Sequence, residues 1–87
     1  MSDIPKVSIL VPVFNVERFV AEAIDSIKNQ SYRNWEAVIV DDGSTDSTLA
    51  VVQSSIINDP RFILVVNPKN LGLVDSLNVG LKYCSGD

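Results

Sequence analysis

"AVIVDDGSTDST", Ala37 to Thr48, runs from four apolar positions straight into two carboxylates, a glycine and a series of hydroxyl-bearing residues. With Trp35 and Glu36 ahead of it, this buried-looking run reads as a strand, Trp35 to Val40. Asp41 and Asp42 then stand at the carboxyl end of that strand. A helix is expected to begin near Ser44 or Thr45, whose hydroxyls can accept from first-turn amides, with Leu49, Val52 and Ile56 as its buried stripe. A buried strand that passes through a polar loop into a helix is half of a βαβ unit.

The same passage recurs on either side. Upstream, "KVSILVPVF", Lys6 to Phe14, is β-branched and almost continuously apolar, with Pro12 expected to close the ladder. Val16, Phe19, Val20, Ala23, Ile24 and Ile27 follow at steps of three and four, which predicts a helix from Val16 with Asn15 as its N-cap. The polar stretch "NQSYRN", Asn29 to Asn34, ends it. Downstream, Asp59-Pro60 stops the second helix, "RFILVV", Arg61 to Val66, is a third buried strand, and "NPKNLG", Asn67 to Gly72, is the turn after it. A last helix is expected from Leu73 to Tyr83, with Leu73, Leu77 and Leu81 facing inward and Ser85-Gly86 as its stop. The order β-α-β-α-β-α implies an α/β fold, a Rossmann-like parallel sheet of three βα units joined by right-handed crossovers. In such sheets ligands sit beyond the carboxyl ends of the strands.

Composition narrows the chemistry. A chain of 87 residues allows one domain. It contains no histidine, which removes Ser-His-Asp and Cys-His catalysis and leaves carboxylates as the acid-base groups. Cys84 is the single cysteine, so there is no intrachain disulfide and no four-ligand zinc pattern. Seven basic residues, scattered along the chain, stand against eleven acidic ones for a net charge of -4, which argues against binding nucleic acid backbones. The amino terminus "MSDIPK" has no basic segment ahead of its apolar run, and that run is too short to span a bilayer, so neither a signal peptide nor a membrane helix is expected.

Three loops leave the carboxyl ends of the three strands: "PVFNVE" (Pro12 to Glu17), "DDGSTD" (Asp41 to Asp46) and "NPKNLG". If the strands are neighbours, these loops meet in one crevice that holds an aromatic ring, a pair of carboxylates and several amides. A flat ring with acceptors beside it suits a nucleobase. Phe14 can stack on the base and Asp41 can accept an N–H from its edge, where an acceptor left unpaired costs roughly 1–3 kcal/mol. Plainer readings stand beside these. Phe14 also reads as a core residue, Asp42, Ser44 and Asp46 as complements to the positive end of the second helix, Glu17 as a first-turn charge, and Asn70 and Gly72 as ordinary turn residues. Spacing supports a ligand crevice without naming the ligand.

Two long segments, "VSILVPVFNVERFVAEAIDSIKNQSYRNWEAVIVDDGSTDST" and "NPKNLGLVDSLNVGLKYCSGD", together resemble the start of the family 2 glycosyltransferases, inverting enzymes with the nucleotide-sugar-binding GT-A fold. The most specific matches are Pro12-Val13-Phe14-Asn15 with Glu17, where many members have Tyr at position 14, and the uninterrupted "VDDGSTD"; Asn70-x-Gly72 and Asn78-x-Gly80 agree. The resemblance implies that Pro12, Val13 and Phe14 line the base pocket with Glu17 close by, that Asp41 hydrogen-bonds the base, commonly uracil, with Asp42 beside it, and that Asn70 to Gly72 approach the nucleotide from the far side. It implies a nucleotide-sugar donor, a carbohydrate or lipid-linked acceptor, a role in polysaccharide biosynthesis, and a cytoplasmic setting, at times peripheral to the inner face of a membrane.

The resemblance also implies Mg²⁺ or Mn²⁺ held by an Asp-x-Asp motif after the next strand, and a later carboxylate as base. Neither is assignable here, and Asp87 is a lone carboxylate. Residues 1–87 are therefore expected to be the amino-terminal part of a larger catalytic domain, to carry its nucleoside-binding half, to be inactive alone, and to self-associate through an exposed sheet edge. One competing reading is a non-catalytic module of the same architecture that binds a nucleotide or partner. A dinucleotide-binding dehydrogenase fits badly, because no glycine follows the first strand where pyrophosphate needs close backbone approach. A phosphoacceptor domain would want its acidic pair after the first strand.

Overall fold

The computed structural model describes residues 6–85. Its elements are β1 (Val7–Val13), α1 (Val20–Lys28), β2 (Trp35–Asp41), α2 (Thr48–Ile56), β3 (Phe62–Val66) and α3 (Leu73–Leu81), in the expected alternation. The three strands form one parallel sheet in the order β1-β2-β3. Every residue of the central strand is buried, which is why its sequence shows no period of two.

Alternation along β2 divides the core. Trp35, Ala37 and Ile39 pack with Val20 and Ile24 of α1, Val52 of α2, and Phe62, so α1 and α2 share one face. Trp35 and Phe62 form a T-shaped pair with 5.3 Å between centroids, and the Arg61 guanidinium lies 4.0 Å over the indole. Val40 points the other way, with Leu10 of β1, toward α3.

That third helix corrects an expectation. The apolar period places Leu73, Leu77 and Leu81 on its inward face, yet Leu73 and Leu81 are 63% and 59% exposed, Leu77 is half-buried, and the buried residues are Ser76 and Gly80. The helix lies so close to the sheet that a Cβ on Gly80 would stand 2.2 Å from Leu10 Cδ1 and 2.9 Å from Val40 Cγ2. Close approach selects small residues, and Leu73 and Leu81 turn outward. The predicted stop at Ser85-Gly86 lies partly outside the described residues, as does Asp87.

Three further boundaries shift. Pro12 does not close the ladder: it pairs with Val40, and Val13 continues to Asp41. The Val13 carbonyl accepts from Asp42 N–H, so its neighbour Pro12 turns its missing donor to the open edge of β1. Helix α1 begins at Val20 instead of Val16, and Asn15 is not its cap; Phe19 and Ala23, placed on its inward stripe by period, are exposed. Helix α2 begins at Thr48 instead of Ser44 or Thr45. The side chains of Asn15, Ser44 and Asp46 are engaged in joining the two loops to each other, which is why neither helix starts on them.

At the opposite end of the sheet Glu36 is buried and collects donors: the Ser8 hydroxyl at 2.6 Å, the Ser85 N–H at 2.5 Å, the Ser85 hydroxyl at 2.9 Å and Lys6 Nζ at 3.2 Å. It pins the chain beyond α3 to the start of β1 and β2. No helix among the described residues is long and apolar enough to cross a membrane.

Candidate functional site

Because the strands are parallel and in register from Val13 to Asp41 to Val66, the three loops begin at one level. Backbone hydrogen bonds carry the pairing one step further, from Asp42 N–H to Val13 and from Asn67 N–H to Asp41, both 2.9 Å. The loop after β2 lies between the other two and binds both.

Asp42 holds the third loop. Its Oδ1 accepts from Leu71 N–H at 2.7 Å and Asn67 Nδ2 at 3.0 Å, and its Oδ2 accepts from Gly72 N–H at 3.0 Å. Leu71 N–H is the main reason that the Asp42 carboxyl lies below the usual carboxylate range; burial works against this, and Asn67, Ser76 and Gly72 add to it. Asn67 also donates to Ser76 Oγ at 3.2 Å, which ties the group to α3. Gly43 makes the approach of the loops tight. Its φ is 71°, and a Cβ there would fall 2.6 Å from the Lys69 carbonyl carbon and 2.7 Å from Asn70 N.

On the other side the same loop holds the one after β1. Ser44 Oγ accepts from Asn15 N–H at 3.0 Å, Thr48 Oγ1 from Val16 N–H at 2.8 Å, and Asp46 Oδ2 from Glu17 N–H at 3.4 Å. Asp46 Oδ1 also accepts from Thr48 N–H at 2.8 Å, at the first turn of α2. Burial pushes the Asp46 carboxyl up, but the Thr48 hydroxyl and N–H and the Glu17 N–H outweigh it and leave it below the usual range. The reading of Asp46 as a helix complement is thus right for one of its oxygens. Ser44 instead joins the loops, and its hydroxyl donates to Asp41 Oδ1.

Between the first and third loops lies an open cavity of about 200 Å³. Six of the residues singled out from sequence line it: Pro12, Val13, Phe14, Asp42, Asn70 and Gly72. Phe14 is 43% exposed, a ring at the rim and not in the core. Asp41 and Glu17 are not among the lining residues. Asp41 is 1% exposed and lies on the α1/α2 side under Ser44, whereas Asp42, one position on, faces α3. The carboxylate that shares a cavity with the ring is therefore Asp42. Sequence reasoning missed Leu73 and Ser76, which complete the lining; the spacing of Ser76 and Gly80, small residues one turn apart, was the available signal for the face that α3 turns to the sheet.

Among the described residues no group of three or more His, Cys, Asp or Glu side chains is placed to hold a metal ion. The donor set does not fit a divalent cation either, since Asp42 already faces N–H donors on both oxygens.

A parallel sheet whose strand-end loops enclose a ring and a carboxylate has its cavity where α/β folds hold their ligands, beyond the carboxyl ends of the strands. The family model described as Glycosyl transferase family 2 matches residues 8–87, and the chain belongs to that family. An uncharacterized glycosyltransferase of Haemophilus influenzae is 42% identical over 86 residues, 99% of this chain and 27% of that protein. Two solved GT-A structures superpose closely. The mannosyltransferase PcManGT from Pyrobaculum calidifontis, in complex with GDP-Man and Mn²⁺, gives a TM-score of 0.88 at 31% identity, covering 94% of this chain and 25% of that one. S. aureus TarS 1-349 in complex with UDP gives 0.81 at 30% identity, covering 95% and 25%. The chain thus spans about a quarter of the length of these proteins and has the GT-A fold over that part.

Proposed function

We propose that this chain is the nucleoside-binding part of an enzyme that transfers a sugar from a nucleoside-diphosphate sugar, with uracil as the base, to an acceptor hydroxyl. The observation that carries the reading is the cavity at the strand ends, where the half-exposed Phe14 ring stands near the carboxylate of Asp42. Phe14 would stack on the base against the Pro12-Val13 wall. Asp42 is ionised, with Leu71 and Asn67 donating to Oδ1, Gly72 to Oδ2 and Ser76 adding to them, and an N–H from the base edge would approach on the Oδ2 side. The size supports a part-site: about 200 Å³ is below the roughly 300–1,000 Å³ of a whole small-molecule site.

The acceptor, a carbohydrate or a lipid-linked sugar, would attack the anomeric carbon as the nucleoside diphosphate leaves, and a single displacement of this kind inverts that carbon. The residues described here bind and orient the nucleoside end. No acid-base role is assigned to them, and residues 1–87 alone are expected to transfer no sugar. The cytoplasm, where the resemblance places such enzymes, is the proposed setting.

Titration of this chain and its Asp42→Ala variant with UDP and GDP, each with and without Mn²⁺, tests the reading. UDP is expected to bind more tightly than GDP, without help from Mn²⁺, and about tenfold or more weaker to the variant, the equivalent of roughly 1.4 kcal/mol. Equal affinity of both proteins for UDP would remove Asp42 from the base site, and tighter binding of GDP would reassign the base.

A further inference from the structure

We infer that Asn15 is a positioning residue for the nucleotide site, and that the buried carboxylate of Asp41 supports it through Ser44. The inference rests on the reading of the cavity as a nucleotide site; its structural basis is separate. Asn15 follows Phe14 directly and does not line the cavity. Its backbone is left-handed, φ 51°, a conformation that asparagine tolerates better than most residues. Its Oδ1 accepts from Thr45 N–H at 2.8 Å and Asp46 N–H at 3.3 Å, its Nδ2 donates to Thr45 Oγ1 at 3.3 Å, and its own N–H donates to Ser44 Oγ at 3.0 Å. One residue thus joins two loops reciprocally across thirty positions of sequence.

A ring that is nearly half exposed is not fixed by packing on all sides, so its direction follows from the backbone that carries it. That backbone is set at Asn15. The Ser44 hydroxyl has one proton, and donating it to Asp41 Oδ1 leaves its lone pairs for Asn15 N–H. Asp41 therefore acts on the cavity from behind, through two hydrogen bonds, without touching what binds there.

Two substitutions separate conformation from hydrogen bonding. Asn15→Gly keeps access to the left-handed backbone and removes the carboxamide, while Asn15→Asp keeps the Oδ1 acceptor. Amide hydrogen exchange on this chain without nucleotide is expected to show Thr45 and Asp46 protected in the wild type and in Asn15→Asp, and unprotected in Asn15→Gly. UDP affinity is expected to fall about tenfold in Asn15→Gly and in Ser44→Ala, and to recover in Asn15→Asp and Ser44→Thr, while the thermal midpoint of Asn15→Gly moves little. A merely structural residue would lower the midpoint and leave the affinity of the folded fraction alone. Wild-type affinity in Asn15→Gly with Thr45 and Asp46 exposed to exchange would overturn the inference. Protection retained at both amides in Asn15→Gly would overturn the tie itself. A wild-type chain that binds neither UDP nor GDP would refute the nucleotide reading, and the exchange data would still decide whether Asn15 orders the loop.

Discussion

Gly80 and Leu10 are in direct opposition: a methyl group on the glycine would lie 2.2 Å from the leucine Cδ1 and 2.9 Å from Val40 Cγ2. Alanine improves a helix by about 1 kcal/mol over glycine, but here both neighbours must move. Gly80→Ala is expected to destabilise the chain by a net amount on the order of 1 kcal/mol, taking overpacking at about 1–3 kcal/mol. Urea denaturation measures it, and a variant as stable as the wild type would show that α3 does not sit this close to the sheet.

Gly43 faces backbone instead of side chain, so nothing flexible can yield to a substituent. Gly43→Ala is expected to push the third loop off Asp42 and to cost about 2 kcal/mol, combining clash with a positive φ. The amides of Leu71 and Gly72 report this directly. Unchanged chemical shifts and exchange at both would contradict the contact.

Asn67 supplies a neutral donor to Asp42 in a buried setting, 3.0 Å from Oδ1. Asn67→Asp would set two carboxyls against each other and force them to share a proton, which raises the folded-state pKa above the unfolded value of roughly 3.9. The pair's contribution is then present below that value and lost as pH rises through the raised pKa. The variant is expected to approach wild-type stability near pH 4 and to fall behind by about 2–3 kcal/mol at pH 7, the scale of a lost hydrogen bond to a charged group. A pH-independent deficit in thermal midpoint would count against this.

Glu36 behaves in the opposite sense. The Ser8 hydroxyl first, then the Ser85 N–H, lower its carboxyl to about 2 against the opposing effect of burial, with the Ser85 hydroxyl and Lys6 assisting. Its contribution is whole above the unfolded value of roughly 4.3 and declines as pH falls through about 2. Asp59, lowered to about 2 chiefly by the Arg61 side chain, acts in the same window. Glu36→Gln is expected to be less stable than the wild type at pH 7 and to lose less between pH 4 and pH 2, with the Asp59 share remaining. Parallel curves for the two proteins across that window would rule out Glu36 as a source of the acid sensitivity.

The strands were legible because buried parallel strands leave unbroken β-branched runs, and the loops that carry the cavity followed from topology. Phe14, Asn70 and Gly72 could be placed together on that ground alone. The distinction between Asp41 and Asp42 could not, because consecutive side chains at a strand end point to opposite faces, and only the position of α3 reveals which face holds the cavity. That position was misread for a physical reason. Leu73, Leu77 and Leu81 carry the apolar period, but the closeness of helix and sheet puts Ser76 and Gly80 at the contact, leaves Leu77 half-buried and turns Leu73 and Leu81 outward. Helix starts failed similarly, since good capping residues such as Asn15 and Ser44 found partners across the fold instead of along their own helices.

Helices α1 and α2 cover one side of the sheet and α3 the other, and this reverses the direction in which the sheet can grow. With right-handed connections, two helices on one side lay strands successively outward from β1 to β3, whereas a helix on the far side returns the path to the opposite margin. Any parallel strand that enters the sheet after α3 must settle against β1, and its carboxyl end would arrive next to Pro12, Val13 and Phe14. The seam created by that reversal would run through the cavity, so a ligand held there would rest on strands wound in contrary directions.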